Sequence, residues 1–526
     1  MTETVARPGD DRPTRWLSFP TGRSRIPSLF SNTGWSILAS VSIGLARFLT
    51  MVLAARLLGP AGSGRLAYLL WISDVVAILF GLGLQTTATR FLAEGASLVS
   101  PEESRATRAW FFRAYSAALL IGGAGLAVLG EEAAGGGLSF PVRVILAVYC
   151  VLQGVGGLQI SVLAGLQRFA TAAAFSLASG GLQLLLLAVL IKPFGVAGAL
   201  ASCAAGAAVL VLPGLGPNGG LFAGSGRVPR GARNRIVRFA FFTWLAASVS
   251  LLAWSNAELY FLKRFRNLDD VAMFGVGASL AMVPTRVSAL LSGALLPYFS
   301  ALGGGDGDRT LEATYRRATR LIALVSAPGS LMLAAAAPIL VPFFYGQTFM
   351  MAIPTTMVLA ACAVLGFANP GTAVLYAAGR PQFIAAGGVA GGLILVAGCW
   401  LAVPSGGPLA AAYVRAGVQL ALIALSVAYL RFRLNVRFPM RAVTVSCVVA
   451  AVVGLGVFGA ARNTSSFIAV LALASAGFCV SVVVAARAGG VSAEDVARLQ
   501  EVLGALPGRL SGAGKVAEIL KGRGRE

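Results

Sequence analysis

Apolar stretches of about twenty residues recur along nearly the whole chain, and this recurrence limits the possible folds more than any single motif. A helix crossing the roughly 30 Å hydrocarbon core of a bilayer needs about 20 apolar residues. Runs of that kind lie at roughly 33–57, 66–89, 109–130, 141–165, 170–191, 194–213, 238–261, 271–297, 318–344, 350–369, 383–403, 407–430, 443–461 and 465–486. One span with its loop takes about 35 to 40 residues, so the 526 residues are nearly consumed by about fourteen spans. An even count puts both termini on one side of the membrane.

Only 12% of the residues are charged and 57% are apolar, against roughly 25% charge in an average soluble domain. A soluble multidomain enzyme is excluded. The charge is lopsided, with 42 Lys and Arg against 20 Asp and Glu, a formal +22. A nucleic-acid binder would cluster its cations on a polar surface. Here they punctuate apolar runs, which reads as membrane topology. With the N-terminus inside, cytoplasmic segments hold about 31 basic residues and the opposite face about 8. Codon bias could raise the arginine content, but it would not sort arginine by side.

The sequence predicts an all-α polytopic membrane protein with about 14 transmembrane helices. The expected organisation is a basic cytoplasmic tail at 1–30, an N-lobe of six spans at 31–213, a basic Gly/Pro-rich cytoplasmic linker at 214–237, and a C-lobe of six spans at 238–430. Two extra C-terminal helices at 431–487 and a cytoplasmic tail at 488–526 complete it. The segment from Ala55-Arg56-Leu57 to Gly64-Arg65-Leu66-Ala67 resembles that from Lys263-Arg264-Phe265 to Ala272-Met273-Phe274-Gly275, 208 positions later. Six spans per repeat give the two lobes one orientation, related by a parallel pseudo-twofold along the membrane normal. In the last tail, Ser492 to Asp495 form a capping pattern before Val496, Leu499, Leu503 and Leu506 at helical spacing. A short amphipathic helix is expected there, either resting on anionic lipid or binding a partner.

Conventional catalysis finds little support. The chain lacks histidine and with it the commonest acid/base group and metal ligand. The six cysteines stand singly in apolar segments without metal-ligand spacing, as small hydrophobes do. On the outer face, Glu131-Glu132 and Asp269-Asp270 are acidic pairs adjacent in sequence, not disposed to converge on one substrate atom. No phosphate-cradling loop is present. The expectation is therefore no enzyme, no cofactor, no metal and no nucleic-acid partner.

Ionisable residues at membrane depth are the sharper signal. Asp74 and Glu258 are the acids, joined by Arg47, Arg286 and Arg415. At roughly 2.5–3.5 kcal/mol for each central charge, five such groups facing lipid would cost on the order of 15 kcal/mol. They must face a partner or a wet cavity. The repeat places Glu258 one turn from the counterpart of Arg47, and Arg286 one turn from that of Asp74. Two readings stay open: buried ion pairs locking the halves together, or a solvated central cavity with gating acids and substrate-binding cations.

Residues 54–68, Ala-Ala-Arg56-Leu-Leu-Gly59-Pro60-Ala-Gly-Ser-Gly64-Arg-Leu-Ala-Tyr68, resemble the loop after the first span in Wzx-like polysaccharide transporters. These belong to the multidrug/oligosaccharidyl-lipid/polysaccharide (MOP) exporter superfamily. Gly81-Leu-Gly83-Leu84 through Arg90-Phe-Leu-Ala-Glu94, Gly165-Leu-Gln167-Arg168-Phe169, Leu295-Leu-Pro297-Tyr-Phe-Ser300 and Phe343-Phe-Tyr345-Gly346 with Phe349 are similar to later motifs of that family, in order. The resemblance spans roughly residues 33 to 430. It departs from the family at span seven, where an aspartate is common and this chain has Asn256 and Glu258.

The resemblance implies a flippase in the bacterial cytoplasmic membrane. It would carry an undecaprenyl-pyrophosphate-linked oligosaccharide to the outer leaflet by alternating access of two lobes around a V-shaped cavity. Membrane lipids and a glycan polymerase or other polysaccharide-assembly proteins are the implied partners. Under it, Arg47, Arg286 and Arg415 are candidate phosphate ligands. Asp74 and Glu258 are candidate gating or coupling acids, and the alternatives are a cation-coupled multidrug exporter or a flippase-like scaffold for cell-wall synthesis.

Overall fold

The computed structural model describes residues 26–95, 101–133, 137–215, 230–254, 256–293, 308–378, 380–463 and 466–490. Most of both tails falls outside them, including the expected amphipathic helix near 492–506. The described residues form helices and contain no strand.

The N-lobe is built from α1 (Ile26–Phe80), α2 (Leu84–Gly95), α3 (Pro101–Ala133), α4 (Phe140–Gly165) and α5 (Phe169–Leu215). At 1.5 Å per residue, 27 residues of straight α-helix extend about 40 Å. Yet Arg47 Nη2 lies 2.6 Å from Asp74 Oδ2, 27 residues on, so α1 folds back on itself. The reversal falls at Gly59, whose φ of 68° lies in the left-handed region where a Cβ is disfavoured and glycine is not. Pro60 then opens the second arm, a position that needs no N–H. In α5 the same hairpin occurs at Gly195, with Ser179 Oγ donating to the Gly206 carbonyl at 2.7 Å.

The C-lobe contains α6 (Arg230–Trp254), α7 (Glu258–Phe265), α8 (Leu268–Gly293), α9 (Asp308–Tyr345), α10 (Ile353–Cys362), α11 (Asn369–Ala377) and α12 (Pro381–Arg433). Tight 3-10 turns, Gln347–Ala352 and Ala363–Ala368, flank α10 and join it with α11 into one irregular span. The third reversal, at Gly407, divides α12, where Gly398 packs against Val414. Span 7 is a broken helix, α6 plus α7, with Asn256 at φ 58° in the gap. The two extra helices, α13 (Met440–Asn463) and α14 (Phe467–Ala485), pack on α9.

Among the described residues, ten helices are long and apolar enough to cross a membrane. Three of them contain a reversal, and the α6–α7 pair adds one more, reproducing the fourteen spans. This is a multi-pass membrane protein. Two boundaries differ from expectation. Helix α6 already begins at Arg230, inside the expected linker, because Arg230 to Arg238 interleave cations with helix-compatible apolar residues. Span 2 is interrupted at residues 81–83, where Gly83 adopts φ 65°.

The sequence repeat acquires a physical meaning at the Gly59 end of the lobes. A Cβ on Gly64 would lie 1.9 Å from the Leu268 carbonyl oxygen and 3.1 Å from the Ala272 nitrogen; one on Gly275 would lie 3.7 Å from the Ala67 Cβ. Gly64 and Ala272, like Ala67 and Gly275, are 208 positions apart. Each residue touches its own counterpart, as residues beside a twofold axis must. The lobes are therefore related by a pseudo-twofold passing between spans 2 and 8.

Candidate functional site

The polar interior is divided between the lobes. In the N-lobe, Arg47 donates to Asp74, with side chains 39% and 35% exposed, so the pair borders open space. Tyr149 and Cys203 flank Arg47. One turn along, Gln183 donates to the buried Thr50 hydroxyl at 2.8 Å. Spans 1, 2, 4, 5 and 6 thus converge on a single polar layer.

In the C-lobe, Arg415 meets Glu258 through two hydrogen bonds, Nε to Oε1 at 2.6 Å and Nη2 to Oε2 at 2.8 Å. Glu258 is fully buried and Arg415 nearly so. Planar guanidinium matched to planar carboxylate is the strongest pairing the two groups can make. Phe274 lies 5.7 Å from the Arg415 guanidinium carbon. Beside them Cys362 donates to Gln419 Oε1 at 2.7 Å. Glu258 opens α7 just after the break in span 7, so its charge also meets the free N–H groups of that helix start.

These pairings bear on one of the two open readings. Neither of these two ion pairs joins the halves: Arg47 and Asp74 both belong to the N-lobe, and Glu258 and Arg415 both to the C-lobe. Among the described residues every ion pair lies inside one lobe. The repeat relates depths along the membrane normal, and depth alone does not select a partner. Pairing is set by the hairpin at Gly59, which lays span 2 on span 1, and by span 12 returning beside span 7.

Arg286 stands apart. It lies on an exposed face of α8 with Val283 and Val287, and has no charged partner among the described residues. Nineteen residues beyond the turn at Asn267, it sits about 28 Å along the helix, near the opposite end of the span.

The motif residues at the Gly59 end join the lobes. Arg56 donates from Nε to the Phe344 carbonyl at 2.7 Å and from Nη2 to the Phe343 carbonyl. Around it, Val52 and Ala55 pack with Ala272, Val276, Tyr345 and Phe349. Gly59 makes the reversal, Pro60 follows it and Gly64 makes the close approach, so this motif encodes a seal between the lobes at that end. Toward the other end, Trp244 Nε1 donates to the Leu79 carbonyl at 2.7 Å, a second contact between lobes. Arg90 lies over the Phe239 ring at 4.4 Å. Glu94 ends α2, and its side chain is outside the described residues.

Sequence reasoning missed Thr50, Gln183, Tyr149 and Gln419 as members of these layers; polar side chains inside apolar runs were the available signal. Of the acidic pairs, Asp270 is engaged by Arg266 at 2.7 Å. Among the described residues no cluster of His, Cys, Asp and Glu could hold a metal ion.

Twelve spans in two pseudosymmetric lobes, each with its own internal ion pair, and two further helices define a two-lobed, multi-pass helical membrane protein. Residues 29–302 match the family model described as polysaccharide biosynthesis protein, and the chain belongs to that family. Among solved structures the fold is similar to a lipid II flippase, MurJ, in an inward closed conformation, with TM-score 0.69 and 12% identity over 85% of this chain and 98% of that one. It is similar to an inward-facing multidrug resistance MATE family transporter of the MOP superfamily, with TM-score 0.62 and 16% identity over 76% and 98%. A MOP superfamily transporter from Pyrococcus furiosus aligns with TM-score 0.53 and 16% identity over 78% and 95%. No curated protein sequence matches this chain.

Proposed function

We propose that this protein is a flippase of polysaccharide biosynthesis. It moves an undecaprenyl-pyrophosphate-linked oligosaccharide from the cytoplasmic to the outer leaflet of the bacterial cytoplasmic membrane, with both termini in the cytoplasm. Family membership supplies the biosynthetic context, and the fold supplies the kind of machine. The observation that carries the reading is that the ion pairs among the described residues are confined within lobes, while the outer seal between lobes is apolar packing, backbone proximity and the Arg56 contact. Separating the lobes therefore leaves the Arg47–Asp74 and Arg415–Glu258 pairs intact, as rigid-body rocking between two access states requires.

In this reading a polyprenyl tail stays in lipid while pyrophosphate and sugars pass between the lobes. Arg286, exposed and near the cytoplasmic end of its span, is the first phosphate ligand. Arg47 can exchange Asp74 for a phosphate, since their pair borders open space. Arg415, already satisfied by Glu258, holds the C-lobe together and engages cargo only if that pair opens. Asp74 and Glu258 then act as gates by receiving their arginines back.

The test is a leaflet-resolved assay of polyprenyl-pyrophosphate oligosaccharides in vesicles carrying the purified protein. Movement that depends on Arg286 supports the proposal. No movement across a panel of such lipids, together with drug resistance on overexpression that depends on Asp74 and Glu258, would replace it with cation-coupled drug export.

A further inference from the structure

Two basic pockets open at repeat-related positions, at the end of the molecule opposite the Gly59, Gly195 and Gly407 reversals. The C-lobe pocket, about 460 Å³, is lined by Glu312, Ala313, Arg316, Arg431, Asn435 and Arg437. Its three arginines come from three places: the start of α9, the end of α12 and the link to α13. The turn that aims them is held firmly. Asn435 takes φ 52°, letting the Val436 N–H reach back to the Leu430 carbonyl at 3.0 Å. Val436 and Leu430 are buried with Tyr315, Val374 and Leu375 beneath the pocket. Glu312 approaches Arg316 only to 4.0 Å, and Arg431 and Arg437 have no carboxylate partner among the described residues. The lining carries a net +2.

The second pocket, about 550 Å³, is lined by Trp110 of α3 and by Arg233, Asn234, Val237 and Arg238 of α6, so it lies where the N-lobe meets the first span of the C-lobe. It sits between span 3 and the start of span 7, as the other sits between span 9 and the start of span 13. The 208-residue offset carries Arg316 onto Arg108, two positions from Trp110. The repeat thus places a basic pocket twice, at corresponding pairs of spans.

We infer that each pocket binds the phosphate of an anionic phospholipid from the cytoplasmic leaflet. Guanidinium groups match phosphate oxygens in planar, paired hydrogen bonds, and basic pockets between spans on this face select acidic headgroups. A soluble phosphate would be equally attracted by charge, but it would not explain the apolar neighbours. Phe432, beside Arg431, is 82% exposed and Met440, three residues from Arg437, 63% exposed; on α6, Phe241 and Phe242 beside the second pocket are exposed as well. Cations with bare apolar side chains beside them fit the boundary between headgroups and acyl chains. Bound lipid would tether the cytoplasmic base of the C-lobe at one pocket and the junction of the two lobes at the other. The inference needs the membrane orientation given above but not the cargo, so it survives if the flippase reading fails.

The experiment is native mass spectrometry of the full-length protein in detergent, titrated with phosphatidylglycerol, phosphatidylcholine or inorganic phosphate. Retained phosphatidylglycerol, little phosphatidylcholine and no competition by inorganic phosphate are expected. R431A and R437A should each weaken retention about fivefold, near 1 kcal/mol per interfacial arginine, while R431K/R437K keeps most of it and controls for folding. R233A/R238A should remove a separate increment. Retention unchanged in R431A/R437A, or phosphatidylglycerol displaced by inorganic phosphate, would overturn the inference.

Discussion

Arg415 holds Glu258 in a two-pronged grip, at 2.6 and 2.8 Å, just beyond the gap where span 7 is interrupted. Glu258 is fully buried, so removing its partner leaves a charge with neither water nor counterion. Arg415→Ala should destabilise the protein by about 3–5 kcal/mol, read as a lower unfolding temperature in detergent. Glu258→Met with Arg415→Met should recover most of the loss, because two apolar groups of similar size leave nothing unpaired. An additive double variant would show that the two residues act separately.

The Arg47–Asp74 pair borders open space, so its members can be separated at lower cost. Arg47→Ala should lower the unfolding temperature less than Arg415→Ala, yet abolish flipping in vesicles. Normal flipping by a variant that reaches the membrane would assign Arg47 to structure alone.

Arg56 spans the outer seal through the Phe343 and Phe344 carbonyls. Arg56→Ala should raise the outward-open population. A cysteine placed at Val276, in the apolar cluster behind the seal, should then react faster with an impermeant maleimide from the outer side. Equal labelling in the two backgrounds would mean that apolar packing alone keeps the seal.

Gly59 and Gly64 serve different purposes and should fail differently. Gly59→Ala meets no neighbouring atom but strains a left-handed residue, costing about 1–2 kcal/mol, with the seal intact. Gly64→Ala sets a Cβ on the Leu268 carbonyl and should open the seal, so that the Val276 cysteine labels strongly while α1 keeps its hairpin.

The spans were legible because hydropathy over twenty residues is averaged and tolerant of error. Arg56, Gly59 and Gly64 also stood out by their pattern, and the structure gives them a joint role at the outer seal. Partner choice was not legible. Arg47 and Glu258 occupy related depths in the repeat, but depth is one coordinate of three, and Asp74 is delivered by the reversal at Gly59. The break in span 7 left little sign either, since Asn256 tolerates a left-handed backbone without announcing it. Thr50, Gln183 and Gln419 were hidden by their neutrality, which lets them sit in apolar runs at small hydropathy cost.

The account stands on two lobes that part at the outer seal without disturbing their internal ion pairs. Ala67 and Gly275 meet across the pseudo-twofold with 3.7 Å between the Cβ positions, close to the roughly 3.8 Å of a disulfide. The most direct measurement is flipping of a polyprenyl-pyrophosphate oligosaccharide by an A67C/G275C variant, lacking the native cysteines, before and after oxidation. The account predicts normal movement when reduced, none when crosslinked, and recovery on reduction. Undiminished movement through the crosslinked protein would contradict it.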